Sequence, residues 1–98
     1  MVQLGSLVLS KAGRDKDRYF IIIGIVDSNH VNIADGDLRK IENPKMKKLI
    51  HLKLVEECVP NLAEHLNKNS KLTNAMLRKL LKDIDYPERV FDNNKEVE

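Results

Sequence analysis

The stretch SKAGRDKDRYF, Ser10 to Phe20, sets four cationic side chains, Lys11, Arg14, Lys16 and Arg18, directly ahead of the apolar run YFIIIGIV. Lysine and arginine at this density donate charge-assisted hydrogen bonds to phosphate oxygens, so gripping a polyanion is the chemistry the segment could do. Two further clusters repeat the theme: Arg39 and Lys40 follow a DG turn, and Lys45, Lys47 and Lys48 fill PKMKK. Where neighbouring loops of a small fold converge at one end, the three clusters would form one patch able to track a phosphate backbone. The competing reading is a merely solvated surface, because Asp15, Asp17, Asp37 and Glu42 partly cancel the charge.

Other chemistries find less support. His30, His51 and His65 have no second His or Cys at metal-ligand spacing, and no Ser or Cys sits in a recognisable nucleophilic setting. The pairs Asp35 with Asp37 and Asp83 with Asp85 flank a turn and a helix end, where solvation and turn geometry account for them. None of the 4 glycines builds a phosphate-cradling loop. The expectation is therefore a protein that is not an enzyme and uses neither metal nor cofactor. Cys58, the single cysteine, reads as a small, partly buried hydrophobe and fits a reducing compartment.

The net charge of the 98 residues is only +2, yet it is unevenly spread. Residues 1–55 hold ten Lys and Arg against six Asp and Glu, whereas residues 56–98 hold seven against nine. A basic half suggests an anionic partner. The longest apolar run, Tyr19 to Val26, falls far below the roughly 20 residues of a membrane span, and the N-terminus does not read as a secretion signal, so a cytoplasmic protein is expected.

These cations must be positioned by a small mainly β fold with a helical C-terminal part. Residues 1–98 read as one domain. SLVLS, YFIIIGIVD, HVNIAD, DLRKI after the DG turn, and LIHLKLV give five short strands, the pattern of a strongly bent barrel over residues 5–55. Gly24 marks a candidate bulge. The second strand is apolar on both alternating faces, Phe20, Ile22 and Val26 on one, Ile21, Ile23 and Ile25 on the other, so something must cover its outer side. A helical extension over residues 60–86 supplies the cover. Its first helix starts near Pro60 and Asn61, and its second is capped by Thr73 with Leu77, Leu80, Leu81 and Ile84 in one stripe. Residues 92–98 read as a polar, frayed tail.

Gly5 to Leu52 resembles the KOW-domain RNA-binding proteins of bacteria that are similar to the archaeal and eukaryotic large-subunit ribosomal protein of the fourteen-e family. SKAGRDK at Ser10 to Lys16, ADG-x-LRK at Ala34 to Lys40, and the later NPK and HL carry the likeness. The resemblance implies an SH3-like barrel whose KOW loop, here Ser10 to Arg18, contacts RNA, commonly ribosomal RNA, with ribosomal proteins as further neighbours. It carries onto Arg14, Lys16 and Arg18, and then onto Arg39, Lys40, Lys45 and Lys47; Lys11 and Lys48 join them on pattern alone. Asp17 stands where such motifs usually have glycine.

With only Tyr19, Phe20, Tyr86 and Phe91 as aromatics, extended base stacking is disfavoured, which leaves backbone and shape recognition of structured RNA. The expected function is noncatalytic RNA binding in ribosome assembly or translation. The alternative is a protein-interaction adaptor using the same small barrel against an acidic partner.

Overall fold

The short apolar alternations of the first half become five antiparallel strands in the computed structural model, which describes residues 2–59, 62 and 72–83. They are β1 (Leu7–Ser10), β2 (Tyr19–Ile25), β3 (His30–Ala34), β4 (Lys45–Lys48) and β5 (Leu52–Glu56). A 3-10 turn, Leu49–His51, joins β4 to β5, and the helix α1 spans Asn74–Asp83. The sheet runs β4-β3-β2-β1-β5, an order compatible with an SH3-like arrangement.

The expected closed barrel is not formed: the sheet stays open between its edge strands β4 and β5. β5 pairs with β1 and β4 with β3, while backbone groups of the 3-10 turn between them bond to other loops. The Leu49 N–H donates to the Asn29 carbonyl and the His51 carbonyl accepts from the Lys11 N–H, each at 2.8 Å. Two further corrections concern elements. DLRKI is not a strand, since residues 36–39 bend and residues 41–42 turn, and the fourth strand is formed instead by Lys45–Lys48. Among the described residues α1 is the one α-helix with a full span; of the helix expected near Pro60 only Leu62 is described, and Ile84 and residues 92–98 also lie outside.

β2 is buried on both faces over its first half. Phe20 and Ile22 join Val8, Val31, Ile33 and Leu52 on one side, while Tyr19 and Ile21 join Leu7, Ala34, Val59, Leu62 and Leu77 on the other. Past Gly24 the double burial ends, and Ile25 and Val26 are exposed. The register slips between Ile22 and Gly24, so the glycine does sit at a bulge.

α1 provides the outer cover. The Thr73 hydroxyl caps it by accepting from the Met76 N–H at 3.2 Å. Leu77 is fully buried, and Leu72, Leu80 and Leu81 pack against the same cluster. Complete burial of a leucine such as Leu77 is worth about 1.5–3 kcal/mol before entropy. No helix among the described residues is long and apolar enough to cross a membrane.

Candidate nucleic-acid interface

The β1–β2 loop is a structured arch, not a floppy tether. Its ends close through Asp17 N–H to the Ser10 carbonyl at 2.8 Å and Ser10 N–H to the Arg18 carbonyl at 3.0 Å. Gly13 and Asp17 take left-handed backbone, φ +80° and +70°. Asp17 thus adopts the conformation that a glycine would favour, as aspartate does more readily than most residues.

Three side-chain ties pin the arch to distant parts of the chain. The Arg18 guanidinium donates through Nη2 to Asp35 Oδ2 at 3.1 Å. Arg39 grips Asp15 with two bonds, Nε to Oδ2 at 3.0 Å and Nη2 to Oδ1 at 3.2 Å. The Lys47 ammonium donates to the Ala12 carbonyl at 2.9 Å. Alternation along β4 puts Lys47 opposite Val31, so its stem lies on the side of the Phe20 cluster while its charged head reaches the arch.

The nine basic residues singled out by sequence therefore divide by what they touch. Arg39 and Lys47 are engaged internally and largely covered, and Arg18 is half-exposed while it pairs with Asp35 and, at 3.8 Å, with Asp37. Lys11, Arg14 and Lys16 are exposed on the arch itself, with Lys40, Lys45 and Lys48 exposed on the adjoining β3–β4 connection and on β4. The arch, the turn after β3 and the inner side of β4 are brought together by the three ties.

Sequence reasoning missed the acids that make this possible. Asp15 is 1% and Asp35 5% exposed. Asp35 Oδ1 accepts the backbone N–H of Asp37 at 3.0 Å and of Arg39 at 2.8 Å, leaving Oδ2 for Arg18. A DG pair signals such a turn, but nothing local marks the carboxylate as the receptor for a guanidinium from another loop.

The same turn is also the seat of α1. Arg78 donates to the Gly36 carbonyl at 2.6 Å, Asn74 Oδ1 accepts the Ile41 N–H at 2.8 Å, and the Asn74 amide donates to Glu42. That amide holds the Glu42 carboxyl below its usual range. Between arch, turn and helix lies an open cleft of about 350 Å³, lined by Arg18, Tyr19, Asp35, Asp37, Arg78, Leu81 and Lys82.

No protein-family model matches the chain. It is similar, at 27% identity over 71 residues, to a protein of Bacillus subtilis (strain 168) named "Putative ribosome-binding protein YbzG"; the match spans 72% of this chain and 96% of that relative.

Proposed function

We propose that this chain is a noncatalytic, cytoplasmic RNA-binding protein that associates with the ribosome and grips structured RNA through the arch between β1 and β2. The observation that carries the reading is the pinned arch. Three ties fix its shape, yet Lys11, Arg14 and Lys16 keep their charges in solvent. Cations on a fixed frame lose less freedom on meeting phosphate than cations on a mobile tail. Lys40 and Lys45 extend the contact, Lys48 alternates to the other side of β4 from Lys47, and Arg18, Arg39 and Lys47 act mainly as fixtures of the frame. The ribosome-binding name of the relative supports the ribosome as the partner.

Each phosphate contact contributes about 0.7–0.9 to the negative slope of log affinity against log salt, so the three arch cations account for a slope of about −2 to −3. The test is cosedimentation of the full chain with ribosomal particles, with and without ribonuclease, followed by mapping of crosslinked nucleotides. A folded K11A/R14A/K16A variant is expected to bind more weakly and with a shallower salt slope. Unchanged affinity in that variant removes the arch from the interface, and an association that survives ribonuclease assigns the surface to a protein partner.

A further inference from the structure

The cleft beside the arch contains a feature that a surface built only for phosphate would avoid. Asp37 presents a carboxylate that is 76% exposed among Arg18, Arg78 and Lys82, and its ion pair to Arg18 is long, at 3.8 Å. The shorter bond of that guanidinium goes to Asp35. The backbone under Asp37 is fixed: its N–H is held by Asp35 Oδ1, and the Asp35 and Gly36 N–H groups both bond to the Arg39 carbonyl. An acceptor on a rigid turn, flanked by cations, suits a ligand that has donors at one end and a phosphate at the other.

We infer that this cleft takes a single unpaired guanosine nucleotide of the bound RNA, with Asp37 accepting from the base and Lys82 and Arg78 facing its phosphates; the inference rests on the RNA-binding reading above. Guanine is the base whose Watson–Crick edge places two donor groups side by side, N1–H and the N2 amino group, to match the two oxygens of a carboxylate. Adenine, cytosine and uracil each offer a single donor group beside an acceptor there, which faces a carboxylate unfavourably. Arg78 spends a bond on Gly36 but retains other guanidinium donors, and Lys82 is exposed on the same side of the cleft. Half-buried Leu81 supplies apolar surface beside the base, and Tyr19, 8% exposed, closes the wall beneath it. The volume lies near the lower end of the roughly 300–1,000 Å³ typical of ligand pockets, which accommodates one nucleotide and not a duplex. Recognition of one extruded base is a common way for proteins to add sequence preference to backbone binding on structured RNA.

The experiment uses the full chain with a set of RNA stem-loops identical except for one bulged nucleotide, G, A, C or U, and with GMP and AMP monitored by NMR. The G bulge is expected to bind at least about fivefold tighter than the others, the discrimination of one good bidentate pair. GMP is expected to shift the resonances of Asp37, Arg78 and Lys82 more than AMP does. Asp37→Asn should abolish the preference for G while leaving the fold and the salt slope in place, and Lys82→Ala should weaken all four bulges alike. Equal affinity for the four RNAs, a preference for G that survives Asp37→Asn, or the same shifts with inorganic phosphate alone would each overturn the inference. So would an acidic peptide that occupies the cleft more tightly than any of the RNAs. If the stem-loops bind through the arch cations without regard to the bulge, the cleft assignment fails alone; if no RNA binds, the RNA-binding reading fails with it.

Discussion

Arg39 and Asp15, 24 residues apart in sequence, form a two-pronged ion pair in which the carboxylate is almost completely buried. Removing the guanidinium leaves a charged group in the interior without its partner. Arg39→Ala is expected to lower the unfolding free energy by about 3 kcal/mol, and Arg39→Lys to restore only part of it because an ammonium lacks the planar fork. Urea denaturation of the three proteins measures both effects. A change below about 1 kcal/mol for Arg39→Ala contradicts a structural role for the pair.

Asp17 combines left-handed backbone with a negative charge on the proposed phosphate surface. Replacing it by glycine removes the charge and relieves the backbone cost, while adding disorder to the unfolded chain. The two backbone effects nearly offset, so Asp17→Gly should change stability by less than about 1 kcal/mol. RNA affinity should rise, most visibly at low salt where repulsion is least screened. Titration of one structured RNA at two ionic strengths distinguishes this from an unaltered interface.

Gly36 cannot accept a side chain on two counts. Its φ is +79°, and a Cβ there would run into the Asn74 backbone carbonyl and approach Arg78 Cγ to 3.2 Å. Gly36→Ala is expected to destabilise the protein by roughly 2 kcal/mol or more, through strain and through displacement of α1. Hydrogen exchange should then be faster along α1 than in β1 and β2, because the helix loses its seat while the sheet keeps its core. Uniform acceleration would count against that seat.

Asp27 Oδ1 accepts from the His30 ring at 2.9 Å and from the Asn29 and His30 backbone N–H groups, each at 2.8 Å. These bonds, the ring first, hold the Asp27 carboxyl below its ordinary value of 3.8. A depressed carboxylate stabilises the fold fully above its unfolded value, and that contribution fades as pH falls through the lower folded value. His30→Ala should therefore raise the Asp27 midpoint in a carboxyl-carbon NMR titration and shrink the acid-side loss of stability. An unmoved midpoint would refute the contact.

Local pattern revealed the elements whose signals are local. β1, β2, β3 and the capped start of α1 follow from alternation, β-branched residues and the Thr73 cap, and double burial of β2 was legible from its apolar character on both sides. DLRKI misled because a DG pair after β3 signals a hairpin whose return strand would follow at once, whereas the Asp35 carboxylate takes the N–H groups of residues 37 and 39 and bends the chain. KMKK looked like a loop because a lysine that covers core with its stem is indistinguishable in sequence from one in solvent; only the register opposite Val31 tells Lys47 from Lys48. The site followed the same rule. Clustered cations were visible, but the carboxylates that consume Arg18 and Arg39 lie 17 and 24 residues away. Charge alone does not say which pairs meet.

The fastenings of the arch reach 17, 24 and 35 residues along the chain, and the turn that two of them share is braced from Arg78, 42 residues beyond Gly36. A nascent polypeptide thus exposes the arch cations before their fastenings exist: until Lys47 has been synthesised and has docked on Ala12, the arch lacks its full set of ties. On the RNA-binding reading proposed above, a chain that has not yet emerged past Lys47 meets its target with charge alone, before the frame that orients that charge has closed.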